Sequence, residues 1–432
     1  MHSLTVNGVH AVFAIVGFLL IHRLAGSPRY AALLWPFTVL WGAATAGLIF
    51  INTQPSMEFV FWDFKECYWL AGKLVLEGPQ SLAGAYSSED LVFVNLPIVA
   101  YLFAPFALLP DMPAAIVITL IGVGIVGLIW RLLVDMFSLD TRESALLFLA
   151  ICAFGPLLYS FKVGNTSHFV LALILGGLAM VRSGKGFVAG ALFGVAAVIK
   201  PALVLVGILY FLRGRWSVVA GGAAVLAGSA ALSLLIFGWD MHVLWYETSI
   251  APYAGNPVPA YVNQTLAGMV ARYELGGPFG HDYSAHTLSP VGRAAAIGMS
   301  LALLAGVVFA AYQSRRLLRA DASDIEVEVL IAVSFTMTVS SLSWAHYHVW
   351  LLPALVLLWV KSRPGQALSG LRWPLIGTYS LLAGTAFVSH SMTLGRFGAL
   401  SNLIVSHWLI GTIALIVLLA IVRARRDYPT QT

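Results

Sequence analysis

Residues 187–211 read FVAGALFGVAAVIKPALVLVGILYF, an apolar stretch in which Lys200 is the only charged side chain. A run of about 17–25 apolar residues is long enough to cross a lipid bilayer as a helix. Stretches of this kind recur along the chain from Thr5 to Val422. Inside lipid, only helices and closed barrels satisfy every backbone polar group, and the period-two alternation of barrel strands is absent here. We therefore expect an all-α fold, a polytopic transmembrane helix bundle.

The composition excludes an ordinary soluble protein. Of 432 residues, 59% are hydrophobic and 10% are charged, whereas a soluble domain has about 25% charged residues. The net charge of +5 fits basic loops beside membrane segments, and no basic stripe interleaved with aromatic residues indicates nucleic-acid binding. The first apolar stretch, residues 4–21, lacks a basic n-region and a clear cleavage site, so we predict a retained helix rather than a signal peptide.

Clusters of Lys and Arg between the apolar segments predict the topology, because basic residues favour cytoplasmic loops. Placing every cluster on the cytoplasmic side means that three segments cannot be simple crossings. Residues 91–109, which contain prolines, should form a juxtamembrane or re-entrant helix on the outer side. Residues 187–211 should be a hairpin broken at Lys200, before a proline. Residues 327–360 are too long for one span and should break at 343–348.

These constraints predict about 12–13 membrane helices in one integral membrane domain covering residues 1–432. Within it we expect an extra N-terminal helix at 1–29, a first outer loop with juxtamembrane helices at 52–112, a long outer loop at 239–290 and a cytoplasmic tail at 423–432. The polar sequence features then all lie on the outer face, opposite the basic clusters.

Three polar residues on that face are candidates for chemistry. Asp63 lies among aromatic residues at the membrane boundary, where desolvation would raise its pKa and make it a better general base. Its alternative role is a helix N-terminal acid or a partner of Lys65. Asn165 belongs to a Gly-Asn-Thr turn that is equally typical of a helix cap. Lys200, at a predicted helix break, is either a functional group at membrane depth or a side chain that snorkels to the interface.

Two further motifs lie on the same predicted face. Asn263 and Gln264 lie in the long outer loop, with Arg272 beyond them, and by themselves indicate a capped helix start. The string WAHYH at 344–348 contains His346 and His348. A His-x-His pair can ligate a metal, but outer-loop carboxylates at ligand spacing are missing, so we expect no metal. Hydrogen bonds to a phosphate or a sugar fit the aromatic surroundings better, although Trp and Tyr are also typical interface anchors.

No cofactor is expected either, because the chain has no Walker motif, dinucleotide fingerprint or nucleophile elbow. An activated substrate for such a membrane protein should then come from the lipid phase.

In their order along the chain, these motifs resemble glycosyltransferase family 87, a member of the GT-C superfamily of polyprenyl-phosphate-dependent enzymes. The resemblance runs from about Asp63 to Pro353. Two departures concern the substrate pocket: Asn95 lies in a Val-Asn-Leu-Pro string where Tyr-Pro-Pro is usual, and Asn165 stands where Gln is usual. The matching features are Asp63-Phe64 with Tyr68 and Tyr86, the proline-bearing segment that ends at Pro110, Gly164-Asn165, Ala189-Gly190 with Gly194 and Lys200-Pro201, Asn263-Gln264-Thr265 through Arg272, and Ser343-Trp344-Ala345-His346 with Leu352-Pro353.

The resemblance implies a GT-C type bundle that transfers a hexosyl group, with mannose the best guess, from a polyprenyl monophosphate donor. It also implies inversion at the anomeric carbon, a glycolipid or glycan acceptor, and an active site on the periplasmic or extracellular side of the inner (plasma) membrane. Arabinofuranosyl transfer within the same superfamily is one alternative. A transporter or flippase for a lipid-linked sugar is the other, although two related halves, which transporters often show, are absent.

The resemblance also suggests roles for the candidate residues. Asp63 is expected to be the general base that takes the proton of the acceptor hydroxyl. Developing charge on the leaving polyprenyl phosphate needs positive or hydrogen-bonding partners. The further substrate-binding candidates are Lys200, Arg272, His346 and His348 for the phosphate, Asn263 and Gln264 for sugar hydroxyls, and Asn165 and Tyr68 within the family motifs.

Overall fold

The computed structural model describes residues 2–52, 57–86, 93–276, 282–313, 321–384 and 400–425. These residues form helices and turns, with one isolated β-bridge between Asn263 and Trp344. The α-helices are α1 His2–Ala25, α2 Ala31–Asn52, α3 Leu70–Glu77, α4 Ala83–Tyr86, α5 Ala104–Ala107, α6 Asp111–Met136, α7 Thr141–Cys152, α8 Gly155–Val163, α9 Ser167–Arg182, α10 Gly186–Ile199, α11 Val204–Leu212, α12 Trp216–Trp245, α13 Leu266–Leu275, α14 Pro290–Gln313, α15 Ala322–Val339, α16 Leu352–Lys361, α17 Arg372–Ala383, α18 Leu400–Val405 and α19 His407–Ala424.

Among the described residues, six helices are long and apolar enough to cross a membrane, namely α1, α2, α6, α12, α14 and α19. The pair α7 and α8, bent by 49°, makes a seventh if it is one broken span. The all-α polytopic class is therefore confirmed, but the predicted count of twelve or thirteen crossings is not. Several apolar segments form shorter helices: α9 and α10 have 16 and 14 residues. At about 1.5 Å per residue, these are shorter than a hydrocarbon core of about 30 Å.

Both predicted hairpin breaks are present. The 3-10 turn Pro201–Leu203 separates α10 from α11, and the 3-10 turn Ala345–Leu351 separates α15 from α16. The described part of the proline-bearing segment forms the 3-10 helix Pro97–Leu102 and then α5, rather than a span. The predicted cytoplasmic tail at 423–432 lies mostly outside the described residues.

The long outer loop predicted at 239–290 is largely helical. α12 continues through it to Trp245, with a kink at Gly238, whose φ of 75° suits glycine. A π-helical turn, Tyr246–Ile250, and α13 follow.

Glycines let α10 and α12 approach each other closely. A Cβ atom at Gly190 would clash with the carbonyl oxygen of Val218, and one at Gly221 would clash with the carbonyl oxygen of Phe187. Close backbone approach at small residues is the usual way in which membrane helices pack. The Ala-Gly…Gly part of the α10 motif therefore fixes the position of the hairpin that ends at Lys200.

Ion pairs join the helices at the end of the bundle where the basic clusters lie. Glu328 of α15 accepts hydrogen bonds from Arg213 Nε at 2.6 Å and Arg423 Nε at 2.9 Å. Arg182, at the end of α9, contacts Glu326 through two nitrogens at 2.6 and 2.9 Å. The start of α9, the end of α10 and the end of α15 lie at the opposite end of these helices. That end carries the candidate site.

Candidate active site

A tightly constrained loop presents Asp63. Phe61 has a positive φ of 62°, which is uncommon for a non-glycine residue, and its N–H donates to the carbonyl of Lys162 at 2.7 Å. The chain then enters a π-helical segment, Asp63–Trp69, a conformation that is frequent at functional sites. Gly164 has a φ of 75°, and its Cα lies so close to Phe64 that a Cβ atom would be 2.6 Å from the Phe64 Cβ. The loop and the turn before α9 are therefore locked together.

Asn165 joins Asp63 to Tyr68. Its Nδ2 donates to Asp63 Oδ2 at 2.8 Å and lies 3.2 Å from the Tyr68 hydroxyl, and its Oδ1 accepts from Ser167 Oγ at 3.0 Å. Asn165 therefore orients the carboxylate and is not simply a helix cap. Burial raises the pKa of the Asp63 carboxyl above its ordinary value, while the Asn165 hydrogen bond and the charge of Lys200 lower it in part. A carboxylate of this kind is a stronger base than an exposed one.

Lys200 points into the protein rather than to an interface. It is 6% exposed, and its Nζ lies 3.4 Å from the Tyr347 hydroxyl and 4.7 Å from the centre of the Tyr347 ring. Its charge acts on the carboxyl of Asp63 and on the phenol of Tyr68. The snorkelling alternative therefore does not describe this side chain. A buried ammonium can form charge-assisted hydrogen bonds to an anionic group such as a phosphate.

Asn95 braces the tip that carries Lys200. The Pro201 ring disfavours helical geometry at Lys200, so α10 ends at Ile199, and the carbonyl of Ile199 accepts a hydrogen bond from Asn95 Nδ2 at 2.7 Å. The carbonyl of Asn95 accepts in turn from the Tyr86 hydroxyl at 2.8 Å. The sequence marked Asn95 only as a departure from the family pattern, and its partner 104 residues away could not be identified from local sequence.

His346 has no hydrogen-bond partner for either ring nitrogen within the described residues, although it is 4% exposed. Its ring stacks on Tyr159, with centroids 6.0 Å apart and planes at 13°, and meets Tyr347 edge to face at 4.9 Å. Burial, with the charge of Lys200, holds the pKa of His346 well below its usual range, so the imidazole is neutral at pH 7. Buried polar atoms are normally paired, and these two nitrogens are therefore available to a ligand.

His348 lies on the other side of the same turn. Its Nδ1 lies 3.1 Å from the carbonyl oxygen of Ala345, and its ring lies 6.0 Å from that of Trp408. Burial lowers the pKa of His348 to about 3. The two histidines of the His-x-His string thus face different neighbours. Within the described ranges, no three His, Cys, Asp or Glu side chains are grouped as metal ligands.

The amides of Asn263 and Gln264 are already engaged with the protein. Asn263 Nδ2 donates to the carbonyls of Val258 and Ser341, and its Oδ1 accepts from the N–H of Ser343 at 3.0 Å. Gln264 Nε2 donates to the carbonyl of Val405 at 2.8 Å. The neighbouring Thr265 caps α13 by accepting from Gly268, as the capped-start interpretation predicted.

Arg272 supports the same loop from beneath. It is fully buried, and its Nη1 lies 3.2 Å from the carbonyl of Ala260 and 2.9 Å from that of Asn263, while its Nη2 donates to Ser406 at 2.8 Å. These contacts hold the chain before α13 against α18 and α19. The structure therefore brings Asp63, Asn165 and Lys200 together and gives Arg272 an internal partner set.

A polytopic helix bundle with a raised-pKa carboxylate, a buried ammonium and an unpaired imidazole at one end has the groups of an integral membrane enzyme. The sequence model of glycosyltransferase family 87 matches residues 93–341, more than half of the chain. The chain belongs to glycosyltransferase family 87 and is a membrane glycosyltransferase, which excludes the transporter alternative. The matched residues include Lys200 but neither Asp63 nor His346.

Three curated relatives each match 70–76% of the chain. A polyprenol-phosphate-mannose-dependent alpha-(1-2)-phosphatidylinositol mannoside mannosyltransferase of Mycolicibacterium smegmatis is 29% identical over 362 residues, covering 76% of this chain and 77% of the relative. A polyprenol-phosphate-mannose-dependent alpha-(1-2)-phosphatidylinositol pentamannoside mannosyltransferase of the same organism is 27% identical and covers 70% of each chain. The pentamannoside mannosyltransferase of Mycobacterium tuberculosis is 27% identical, covering 71% of this chain and 69% of the relative. No solved structure matches the chain.

Proposed function

We propose that the protein transfers a mannosyl group from a polyprenyl monophosphate to a glycolipid or glycan acceptor. The three relatives named above are all polyprenol-phosphate-mannose-dependent mannosyltransferases, which favours mannosyl over arabinofuranosyl transfer. The observation that carries the catalytic assignment is the Asp63 carboxylate, which Asn165 holds at 2.8 Å and which lies within the electrostatic reach of Lys200.

In the proposed step, Asp63 accepts the proton of the acceptor hydroxyl through Oδ1, since Oδ2 accepts from Asn165. The acceptor oxygen forms a bond to the anomeric carbon as the bond from that carbon to the phosphate oxygen breaks. The electron pair stays on the departing phosphate, where the ammonium of Lys200 stabilises the developing charge. An N–H of neutral His346 donates a further hydrogen bond to the phosphate or the sugar.

The arrangement of carboxylates among the described residues supports inversion at the anomeric carbon. A retaining double displacement needs a nucleophile and a second carboxyl group about 5–5.5 Å away. Among the described residues, Glu66 is the carboxylate next to Asp63 in sequence, and it lies on the exposed side of the π-helical segment. One carboxylate that removes a proton is consistent with a direct, inverting displacement.

The remaining candidates take two kinds of role in this proposal. Asn165 and Tyr68 orient the base, because both belong to its hydrogen-bond group. Arg272 positions the loop from beneath, since its donors meet protein carbonyls. The same holds for the engaged amides of Asn263 and Gln264. His348 meets a backbone carbonyl through Nδ1, while its buried Nε2 has no partner within the described residues.

The site end of the bundle is proposed to face the periplasmic or extracellular side of the plasma membrane. Support comes from the basic residues at the opposite end, because Lys and Arg near membrane helices favour the cytoplasm. A membrane-impermeant maleimide should label a cysteine introduced at Ser284 in intact cells and leave one at Ser369 unlabelled until the cells are opened. The reverse labelling pattern would contradict the orientation.

The activity test uses purified protein in lipid nanodiscs with radiolabelled polyprenyl-phosphate mannose and a phosphatidylinositol mannoside. Wild-type protein should form a product one hexose heavier, whereas Asp63→Asn should not. Asp111→Asn is the matched control, because Asp111 lies near the same loop, pairs with Lys65 at 3.8 Å and is 46% exposed. Near wild-type turnover by a folded Asp63→Asn variant would refute the base assignment.

A further inference from the structure

A group of aromatic side chains lies beside Asp63 and is not used by the groups that meet the donor phosphate. Tyr159 and Tyr261 pack in one cluster with Trp344, and the ring centroids of Tyr283 and Trp344 lie 6.1 Å apart. We call these four residues the aromatic wall. Tyr159 directly precedes Ser160, whose Oγ donates to the carbonyl of Asn165, the residue that holds Asp63. The wall is therefore joined to the turn that holds the carboxylate, and the charge of Asp63 acts on both Tyr159 and Tyr283.

His346 contacts the wall directly and contacts Lys200 through Tyr347. The imidazole stacks on Tyr159 with its plane at 13°. It also meets Tyr347, whose hydroxyl lies 3.4 Å from Lys200. His346 therefore lies between the ammonium and the wall, and both of its ring nitrogens lack a partner within the described residues. A sugar that lies along the wall would reach these nitrogens and Asp63 together.

Exposure differs strongly between the residues of the wall. Tyr261 is 4% exposed and Tyr159 is half-buried, whereas Tyr283 is 47% exposed. A ligand on the wall therefore has one part against the half-buried ring of Tyr159 and another part towards water at Tyr283. This suits a polar head group better than a lipid tail. The C–H face of a pyranose is apolar and packs on aromatic rings, while its hydroxyls take hydrogen bonds from Tyr and His.

We infer that the aromatic wall is the acceptor subsite and that it binds the terminal mannose-type pyranose of the acceptor glycan. This inference rests on the proposed function, because it assigns the second substrate of the same site. Lys200 faces the donor phosphate on one side of His346, and the wall holds the acceptor ring on the other. The acceptor hydroxyl then lies next to Asp63, the group proposed to take its proton.

The test compares Tyr283→Ala with Tyr312→Ala in nanodiscs. Tyr283 is exposed and its substitution removes one face of the wall, while Tyr312 is 67% exposed at the far end of α14. Binding of an α-mannobiose probe is measured by saturation-transfer NMR, and initial transfer rates give separate KM values for donor and acceptor. We expect wild-type protein and Tyr312→Ala to bind the probe. Tyr283→Ala should bind about five- to tenfold more weakly, with the acceptor KM raised and the donor KM unchanged.

Each result decides the inference. Equal probe binding by wild type and Tyr283→Ala, or no binding by wild type, would overturn it, and so would a rise in the donor KM alone. Loss of probe binding by Tyr283→Ala without any transfer by wild type would support a mannoside-binding wall and overturn the proposed donor chemistry. Failure of the acceptor-subsite inference and failure of the proposed function therefore give different results.

Discussion

Asn95 gives the sharpest test of how the fold positions Lys200. Replacing it by Leu keeps the approximate size of the side chain but removes the amide that donates to the Ile199 carbonyl at 2.7 Å. Asn95 is 4% exposed, so the carbonyl is left without a partner at a buried site. Such a loss costs about 1–3 kcal/mol, which corresponds to a factor of about 5 to 150 in an equilibrium constant.

The energy is lost at the hairpin tip, so the effect should appear mainly in donor use. If the tip spends only part of its time in the competent position, the apparent donor affinity falls by that fraction. We expect kcat/KM for polyprenyl-phosphate mannose to fall about thirtyfold, which corresponds to the middle of this range, about 2 kcal/mol, in nanodiscs at saturating acceptor. Asn52→Leu is the matched control, because Asn52 donates to the Leu48 carbonyl at 2.9 Å at an exposed position.

A double variant separates positioning from general destabilisation. If Asn95 acts through Lys200, then Asn95→Leu should add little to the donor defect of Lys200→Gln, because groups that act as a unit are not additive. Fully multiplicative defects, or an unchanged donor KM in Asn95→Leu, would refute the reasoning that links the brace to the ammonium.

Three other changes test separate parts of the structure. Asp63→Asn should lower kcat by about 10²–10⁴-fold. The base is ionised only above the raised pKa of Asp63, so wild-type kcat/KM should rise with pH through that pKa. A kcat/KM that does not change with pH on the acidic side would contradict this. Arg272→Gln should lower the free energy of unfolding by about 3 kcal/mol, because three buried acceptors lose a charged donor. An unchanged melting temperature would contradict the supporting role of Arg272. Glu328→Gln should destabilise by about 1.5–3 kcal/mol, since Arg213 and Arg423 lose the charge of their shared partner while Arg423 keeps Asp324 at 3.5 Å. Asp135→Asn, in an exposed ion pair, should cost at most about 1 kcal/mol.

Sequence patterns were sufficient for the fold class and for the helix breaks. The apolar run at 187–211 predicted a hairpin, and the structure breaks it at the expected Lys-Pro step. Sequence patterns did not predict the number of membrane crossings. Hydropathy measures how apolar a segment is, but α9 and α10 bury much of their apolar surface against other helices, and neither is as long as a bilayer is thick.

For the candidate site, sequence patterns identified two charged residues but not the residues that contact them. Asp63 and Lys200 were found because a charge within apolar sequence is costly unless it has a function or a partner. The partners themselves were not found. Tyr347 was quoted only as part of a string and Asn95 only as an exception, because the hydrogen bonds that matter join residues more than one hundred positions apart.

Motif residues that look alike in sequence also have opposite roles in the structure. Asn165 and Asn263 are both amides in predicted outer turns, and both were expected to bind substrate. Asn263 uses its Nδ2 and Oδ1 on backbone groups, whereas Asn165 gives an N–H to the Asp63 carboxylate. An amide whose hydrogen bonds are all internal can be recognised only when its partners are known. A residue type at a motif position therefore identifies the family. A ligand contact is identified only by hydrogen-bonding groups that the protein itself does not use. By that criterion His346, rather than Asn263, is available to bind the sugar or its phosphate.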